Sequence, residues 1–475
     1  MLGQVLGSGL GVATSNASPQ GEDCLTLNVQ RPSNVSSCAK LPVAVWIYGG
    51  GFEFGSTQNN DASNLISASV AQGKDIVYVA MNYRLNGFGF MPGKEIQNSG
   101  NGNIGLLDQR LALQWVADNI AQFGGDPDKV TIFGESAGSI SVFDQMALYR
   151  GDYKYNGKPL FRAAIMDSGT IVPADPLNCT KGQQTYDAVV SYAGCNGTAD
   201  TLACLRSLSY AQFQAAVNSV PGIFSYNSVA LQYLPRPDGV VLAESPEILA
   251  QKGQYAPVPF LVGDQEDEGT FFSLTQTNIT TQNDLVNYLS TLFFQDATIA
   301  QIETLVDTYP DDLGVSGSPF RTGLQNNIYP QYKRLAAILG DLTFTLTRRV
   351  FLTIASQVYP QVPSYSYLST YLYGTPVLGT FHSSDVSEVY GSSTSNPVVS
   401  SIVQAYYISF FNTMDPNNNT TTPLSTSGTT YWPQWNSGQQ LLDFGATSTT
   451  TIPDNFRQDS YNVIMNAIAS GAFHI

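Results

Sequence analysis

A serine flanked by two glycines is the part of this sequence best suited to chemistry. The motif Gly-Glu-Ser-Ala-Gly at residues 134–138 follows the apolar run 129–133 and precedes the apolar segment 139–148. A Gly-Ser turn can arise by chance, but a strand before the motif and a helix after it favour a nucleophile elbow, which exposes Ser136 on a sharp turn. Residues two positions before and after the serine must lack bulk, and glycines occupy both positions.

A serine hydroxyl is a poor nucleophile at neutral pH, so Ser136 needs a histidine base that is itself oriented by a carboxylate. The sequence contains two histidines. His474 is the penultimate residue, and chain ends are usually too mobile to hold a catalytic group in place. His382 follows a predicted strand, in a loop where a base should lie. We therefore expect His382 to be the base, because a His382 on an unrelated surface loop would leave the serine without one.

The acidic partner is less tightly constrained. In hydrolases with a nucleophile elbow the acid lies between the serine and the histidine in the sequence, here within 136–382. Four acidic residues follow a predicted strand at 257–262, and the carboxyl ends of parallel strands are where α/β folds place their sites. They are Asp264, Glu266, Asp267 and Glu268. The pattern does not choose among them, and most of such a cluster would ordinarily be a solvated run of charge.

Ester hydrolysis also needs hydrogen-bond donors for the negative charge that develops on the substrate oxygen. A predicted strand at 43–48 runs into three glycines, residues 49–51, whose unhindered amides can point into a cavity. With the N–H of Ala137 they would form an oxyanion hole. Three glycines are more often a flexible turn, but their place one strand-helix unit before the elbow favours the catalytic interpretation.

We expect neither a metal nor a nucleotide cofactor. Two histidines, together with cysteines that are best explained as structural, make a metal site improbable. A phosphate-binding glycine loop of the Walker or dinucleotide type does not follow any predicted strand.

The elements that must position these residues alternate between strands and helices. Short apolar runs predict strands that are buried on both faces. They lie at 43–48, 76–83, 130–133, 163–166, 257–262 and 365–372. Segment 105–123 has helical spacing and predicts a crossover helix over a mostly parallel sheet. The pattern therefore indicates an α/β fold whose sheet spans most of the sequence.

A helical block interrupts the strands late in the sequence. Helical spacing recurs at 283–294, 298–308 and 331–356, between the last two predicted strands. Such an insertion usually covers the catalytic face and shapes the substrate cleft. We therefore predict a helical cap region over residues 271–356.

Composition excludes several classes of partner. The sequence has 21 basic and 37 acidic residues and a net charge of −16, so nucleic acid and anionic membrane surfaces are unsuitable partners. Although 43% of the residues are hydrophobic, we find no run of the roughly 20 apolar residues that a spanning helix needs. We expect a soluble protein with a large buried core.

Other features point to an oxidising, secretory setting. N-glycosylation sequons occur at Asn16, Asn34, Asn178, Asn196, Asn278, Asn418 and Asn419. Cys195 and Cys204 bracket a short loop and are predicted to form a disulfide. The cysteine count is odd, so at least one thiol should be unpaired. The sequence begins without the basic and apolar regions of a signal peptide, which conflicts with its secretory composition.

The motifs resemble those of the type-B carboxylesterase and lipase family, which includes the cholinesterases, and above all its secreted fungal lipase and sterol esterase group. Residues 22–29 resemble the family's cysteine signature, and residues 82–88 resemble its second-strand motif. The continuous run 103–138, which ends in the elbow, is the most specific match. The resemblance extends over nearly the entire chain.

This resemblance implies an α/β-hydrolase fold that forms a single domain over residues 1–475. Residues 267–270 resemble the family's acid motif, so the resemblance selects Glu268 from the four acidic candidates. Ser136, Glu268 and His382 would then be the catalytic triad.

The resemblance also implies roles for other residues. Gly50 and Gly51, with Ala137, match the oxyanion donors of the family. Cys195 and Cys204 match the second disulfide loop of the fungal lipases, in agreement with the pairing predicted from their spacing.

The front of the sequence departs from the family pattern. Family members carry N-terminal strands and a disulfide-bounded lid before the cysteine signature, whereas here only about twenty residues precede it. Residues 1–21 resemble the returning half of that lid, without its partner cysteine. We expect a sequence that starts inside the lid, with the N-terminal strands and part of the lid missing. A late start in the gene model would account for both the absent signal peptide and the odd cysteine.

The function predicted is that of a secreted serine carboxylic ester hydrolase that works through an acyl-enzyme. Its substrate would be a small-molecule or lipid ester, and contact with a lipid interface is compatible with the resemblance. The alternatives are a non-catalytic, cholinesterase-like adhesion protein and an inactive truncated fragment. The sequence indicates neither the acyl chain length nor the oligomeric state.

Overall fold

The computed structural model describes residues 20–418 and 424–475. The residual lid segment predicted at residues 1–21 therefore lies almost entirely outside the described residues. The sequons at Asn16 and Asn419 lie outside them as well.

The described chain contains eleven strands, nine of which form one sheet. Their bounds are β1 Leu27–Gln30, β2 Leu41–Ile47, β3 Val77–Met81, β4 Gly125–Glu135, β5 Lys154–Tyr155, β6 Lys158–Pro159, β7 Ala163–Asp167, β8 Phe260–Gln265, β9 Ser364–Ser369, β10 Gln440–Phe444 and β11 Thr449–Pro453. The order in the large sheet is β1-β3-β2-β4-β7-β8-β9-β10-β11, and β5 and β6 form a separate hairpin. The seven inner strands are parallel to one another, and the edge strands β1 and β11 are antiparallel to their neighbours.

Helices surround the sheet in the described chain. Their bounds are α1 Ser63–Ala71, α2 Asn86–Phe90, α3 Lys94–Ser99, α4 Ile104–Asn119, α5 Ala137–Gly151, α6 Thr180–Tyr192, α7 Thr201–Arg206, α8 Tyr210–Val217, α9 Pro246–Gln251, α10 Gln282–Leu292, α11 Ile299–Asp307, α12 Tyr332–Gly340, α13 Leu346–Val358, α14 Val386–Val389, α15 Pro397–Thr413 and α16 Gln458–Ala469. A π-helical turn, Asp341–Thr345, joins α12 to α13. Helix α5 packs against β4 and β7, and α15 packs against β2 and β4.

The six predicted strands are confirmed, with shifts of a few residues at their ends. Every residue of β3, β7, β8 and β9 is buried, which is why β3 and most of β7 are continuously apolar. Strand β8 is apolar only in its first half, and β9 alternates serine with tyrosine although both of its faces are buried. The crossover helix predicted at 105–123 is α4 with a short 3₁₀ extension. The mostly parallel sheet flanked by helices was therefore predictable from the apolar runs and the helical spacing in the sequence.

Strands β1, β10 and β11 were not predicted from the sequence. They lie at or next to the edges of the sheet, where a strand is covered less completely. In β11 only one of five residues is buried, and four of the five are Thr or Pro. An edge strand of this composition lacks the apolar signal of a buried strand.

The sheet brings distant parts of the chain to one edge. Strands β4, β8 and β9 are parallel, so their carboxyl ends lie on the same side. Ser136 directly follows β4, Glu268 follows β8, and His382 lies in the connection after β9.

The segment 271–356, predicted as a cap, is largely helical and contains α10 to α12 and most of α13. Its Phe272 and Phe344 contact the ring of His382, with ring centroids 4.9 and 4.6 Å away. Farther along, Phe351 of α13 packs against Phe260 of β8, with centroids 5.1 Å apart. The segment therefore contacts both the edge where the site lies and the body of the sheet.

Candidate active site

Ser136 lies on a strained turn between β4 and α5. Its backbone has φ 57° and ψ −124°, which non-glycine residues rarely adopt. The turn is tight: a Cβ added to Gly138 would lie 2.0 Å from the carbonyl oxygen of Ile47, and one added to Gly134 would lie 2.5 Å from backbone atoms of Gly138. The N–H of Ser136 donates to the carbonyl of Asp167, at 2.9 Å. These restraints hold the serine at the end of the sheet.

The imidazole of His382 lies between Ser136 and Glu268. Its Nε2 is 2.8 Å from Oγ of Ser136, and its Nδ1 is 2.5 Å from Oε2 of Glu268. The histidine is 3% exposed. Burial lowers the pKa of His382 below its ordinary value, although nearby carboxyl groups act in the opposite direction. A neutral imidazole in this position can accept the proton of the serine hydroxyl.

Glu268 is held by hydrogen bonds on the oxygen that does not face His382. Its Oε1 accepts from Oγ of Ser168 at 2.6 Å and from the N–H of Gln265 at 2.7 Å. Burial raises the pKa of Glu268 to about 8, and these hydrogen bonds partly oppose the shift. The carboxyl group is thus fixed in an orientation that leaves Oε2 for the imidazole.

The other three acidic candidates have partners of their own. Asp264 accepts from Arg348 at 2.8 Å, and Glu266 accepts from Arg321 at 2.5 Å. Asp267 accepts from the hydroxyl of Ser318 and from the backbone N–H groups of Phe320 and Thr380. Of the four, the structure brings Glu268 alone into contact with His382.

The predicted oxyanion glycines lie against the elbow. A Cβ added to Gly49 would lie 2.5 Å from the carbonyl oxygen of Glu135. Gly50 and Gly51 have φ values of +100° and +62°, which favour glycine. Within residues 20–418 and 424–475, the N–H groups of Gly51 and Ala137 have no backbone hydrogen-bond acceptor. Gly51 and Ala137 both line the cavity next to Ser136, where free N–H groups could meet a substrate oxygen.

That cavity is walled mainly by apolar side chains. Its described lining includes Ile140, Val172, Ile223, Leu231 and Phe344. A nucleophile in the wall of an apolar cavity suits a substrate with a hydrophobic group beside its reacting carbonyl.

A model of the carboxylesterase family matches residues 8–464. The chain belongs to this family. The family resemblance and the α/β-hydrolase fold expected from the sequence are thereby confirmed, and the protein is a carboxylic ester hydrolase.

Curated relatives of this carboxylesterase include fungal lipases. "Secreted lipase 1" of Botryotinia fuckeliana is 58% identical over 450 residues, which are 95% of this chain and 77% of the relative. "Secreted triacylglycerol lipase LIP1" of Gibberella zeae is 55% identical over 93% of this chain and 74% of its own length. Among solved structures, EstA of Aspergillus niger is similar, with a TM-score of 0.79, 27% identity, and coverage of 98% of this chain and 87% of EstA.

Glu135 is a site residue of this carboxylesterase that the sequence reasoning missed. Its Oε1 lies 3.2 Å from Nε2 of His382, and it accepts a hydrogen bond from the hydroxyl of Ser383. Burial raises the pKa of Glu135 to about 8. The signal was its place inside the elbow motif, directly before Ser136. A second buried carboxyl group therefore contacts the imidazole.

His474 is held in place, contrary to the mobility expected near a chain end. Its Nε2 lies 2.9 Å from Glu247 and its Nδ1 lies 3.5 Å from Asp175. Burial lowers its pKa, but its interactions with the carboxylates of Asp175 and Glu247 outweigh that effect and raise it to about 9. His474 thus pairs with two carboxylates, whereas His382 is the histidine that contacts Ser136.

Other sequence predictions concern cysteines, metals and membranes. Cys195 and Cys204 form the predicted disulfide, and Cys24, Cys38 and Cys179 are unpaired. In the described part of the chain, no group of three or more His, Cys, Asp or Glu side chains is arranged to hold a metal ion. Among the helices described, none is long and apolar enough to cross a membrane.

Proposed function

We propose that this carboxylesterase hydrolyses esters of hydrophobic acids through an acyl-enzyme formed on Ser136. The single observation that carries the proposal is the pair of contacts made by His382: 2.8 Å from Nε2 to the serine oxygen, and 2.5 Å from Nδ1 to Glu268. This arrangement suits a base that takes the serine proton while a carboxylate stabilises the resulting imidazolium.

In the first step, Oγ of Ser136 attacks the ester carbonyl carbon as its proton moves to Nε2 of His382. The negative charge that develops on the carbonyl oxygen is stabilised by the N–H groups of Gly51 and Ala137, with Gly50 as a further candidate donor. The C–O bond to the alcohol then breaks, and His382 returns its proton to the departing oxygen. An acyl ester on Ser136 remains.

In the second step, a water molecule takes the place of the serine as the nucleophile. His382 removes a proton from the water, whose oxygen attacks the acyl carbon, and the imidazolium then protonates Oγ of Ser136 as the free acid leaves. Both steps need neutral His382. Because burial lowers the pKa of His382, the base form is present at neutral pH, and activity should fall as the pH drops through that lowered pKa.

The substrate proposed is a lipid ester whose acyl chain enters the apolar cavity beside Ser136. Two relatives that are more than half identical carry the names of a secreted lipase and a secreted triacylglycerol lipase. We propose that this protein is secreted as well. Support comes from the Cys195–Cys204 disulfide and from the exposure of every sequon asparagine in the described chain.

Hydrolysis of p-nitrophenyl butyrate and caprylate by wild type and by Ser136→Ala tests the proposal. We expect the variant to lose nearly all turnover, and a fluorophosphonate probe to label wild type but not Ser136→Ala. Ser141→Ala changes another buried serine on α5 and should be labelled like wild type. Equal turnover by Ser136→Ala and wild type would overturn the mechanism. A folded wild type that the probe does not label would favour the non-catalytic adhesion alternative.

A further inference from the structure

An unexplained carboxyl group lies in the wall of the cavity beside Ser136. Asp144 is the one residue with an acidic or basic side chain among the described residues that line this cavity, which the C-terminal residue Ile475 also lines. It is on α5, about two helical turns or about 10 Å along the axis from Ala137. Ile140, one turn before Asp144, also lines the cavity. The carboxyl group is therefore on the helix face that an acyl chain on Ser136 would follow.

Asp144 is fully buried and lacks polar partners. Its relative exposure is 0%, and neither carboxyl oxygen has a hydrogen-bond partner within residues 20–418 and 424–475. Buried carboxyl groups are normally paired or hydrogen-bonded, because desolvation without compensation is costly. Apart from Ser136, Thr343 is the other residue with a polar side chain in the described lining, and it makes no hydrogen bond to Asp144.

The surroundings of Asp144 favour its uncharged form. Burial raises the pKa of Asp144 well above its ordinary value, with no charged neighbour contributing to the shift. A protonated carboxyl group has one O–H donor and retains acceptor capacity. Its natural complement in an apolar cavity is another neutral group that both donates and accepts, such as an alcohol.

We infer that Asp144 is a specificity residue that binds a hydroxyl group on the acyl chain of the substrate. The inference rests on the proposed function, since it assumes an acyl chain bound in this cavity. It assigns to the protein a substrate class, esters of hydroxylated fatty acids, beyond the unsubstituted acyl esters that an apolar cavity alone would select.

The position of Asp144 indicates where along the acyl chain the hydroxyl group should lie. An extended chain of single bonds advances about 1.2 Å per bond. The separation of about 10 Å between Ala137 and Asp144 along α5 therefore corresponds to about eight bonds. A hydroxyl group near the end of a ten-carbon acid can reach the carboxyl group, whereas one next to the ester carbonyl cannot.

The test compares p-nitrophenyl 10-hydroxydecanoate with p-nitrophenyl decanoate. For wild type and Asp144→Leu, the ratio of kcat/KM for the hydroxylated ester to that for the plain ester is measured. We expect this ratio to fall about fivefold in Asp144→Leu, as for the loss of one buried hydrogen bond. Asp144→Asn can still donate and accept, so its ratio should stay within about twofold of wild type. Asp459→Leu, the same change at an exposed position of α16, should leave the ratio unchanged.

A binding measurement separates this inference from the proposed mechanism. Calorimetry with the Ser136→Ala protein compares methyl 10-hydroxydecanoate with methyl decanoate, with and without Asp144→Leu. We expect tighter binding of the hydroxylated ester only when Asp144 is present. If that preference is found although Ser136→Ala hydrolyses esters as fast as wild type, the acyl-enzyme mechanism fails and the role of Asp144 stands.

The inference is overturned if the ratio is the same in wild type and Asp144→Leu. That result would mean that Asp144 is satisfied by an ordered water or by the protein itself. If Asp144→Leu does not fold, as judged from its thermal denaturation, Asp144→Val takes its place with the same expected loss. A ratio that falls equally in Asp144→Asn and Asp144→Leu would also overturn the inference, because hydrogen bonding would not be the cause.

Discussion

Two clusters of buried polar and ionisable side chains adjoin strand β8, and they differ in the groups that face their carboxyl groups. The serine cluster consists of Ser136, His382, Glu268 and Glu135. The arginine cluster consists of Arg348, Arg349, Asp264 and Asp454. In the arginine cluster permanent cations face the carboxylates, whereas in the serine cluster the facing group is an imidazole that can lose its charge.

Electrostatics separate Asp454 of the arginine cluster from the carboxyl groups of the serine cluster. Burial raises the pKa of Asp454, but Arg348 and Arg349 outweigh burial and hold that pKa below its ordinary value. In the serine cluster, burial raises the pKa of both Glu135 and Glu268 to about 8. Asp264, which faces Arg348 alone, resembles the serine cluster in this respect, because burial outweighs the arginine and raises its pKa to about 8. The comparison teaches that neither burial nor a raised pKa marks a functional carboxyl group, and that the nature of its partner does.

The largest effect on activity is expected from removal of the base. His382→Gln should lower kcat by about 10⁵- to 10⁶-fold, because Ser136 would then lack a proton acceptor. The free energy of unfolding should change by less than about 2 kcal/mol, since the substitution adds no buried charge. Ester hydrolysis and urea denaturation measure the two quantities. If the loss of stability were as large, as a free energy, as the loss of activity, His382 would be a structural residue and the serine cluster would not differ from the arginine cluster.

A smaller loss of activity is expected from Glu268→Gln. The amide keeps the shape of the side chain but presents the wrong hydrogen-bonding group to Nδ1 of His382, so kcat should fall about 10⁴-fold. Asp267→Asn is the matched control, since Asp267 is also buried but does not contact the imidazole. Its kcat should stay much closer to wild type. Equal losses in the two variants would mean that Glu268 has no special role.

The arginine cluster should respond in stability rather than in chemistry. Arg348→Met leaves the carboxylate of Asp264 without a cation and removes one of the two that face Asp454, so it should destabilise the fold by about 3–5 kcal/mol. Arg150→Met breaks a half-exposed pair with Glu244 and should cost less than about 1 kcal/mol. Urea denaturation gives both values. If Arg348→Met were as mild as Arg150→Met, the cluster would not be the structural element that its geometry indicates.

The smallest effect concerns His474, which shares features of both clusters because an imidazole faces two carboxylates. Its pKa is raised from 6.5 to about 9, so its contribution to stability is fully present below about pH 6.5 and is lost as the pH rises through about 9. His474→Gln should therefore reduce stability by about 1 kcal/mol at low pH and by almost nothing above pH 9. Urea denaturation across this range measures the difference. A difference that grows with pH would contradict the assignment.

Much of the fold was predictable because its inner strands are buried on both faces. All residues of β3 and β7 are buried, and a run of apolar residues in the sequence is the expected result of that burial. The strands at or beside the sheet edges, β1, β10 and β11, escaped prediction because burial is incomplete there. The elbow was predictable for another reason: its glycines are required by backbone contacts below 3 Å at Gly134 and Gly138.

The site was only partly predictable from residue types. Spacing brought attention to Ser136 and His382, but it left four acidic candidates, and a family resemblance was needed to prefer Glu268. Glu135 was overlooked because its place inside the motif does not indicate where its side chain points. Asp144 was overlooked because a single acidic residue on an apolar helix is indistinguishable, in sequence, from one that faces water.

The sequence by itself determined where six of the strands lie, where the sharp turn around Ser136 occurs and which residue types are available for chemistry. The turn depends on steric contacts between residues that are close in the sequence. The strands depend on which neighbouring residues are buried. Only the tertiary structure decided which carboxyl group meets which partner: Glu268 an imidazole, Asp264 an arginine and Asp144 no polar group among the described residues. The physical reason is that charge pairing acts through space, between side chains that the fold brings together from distant parts of the chain.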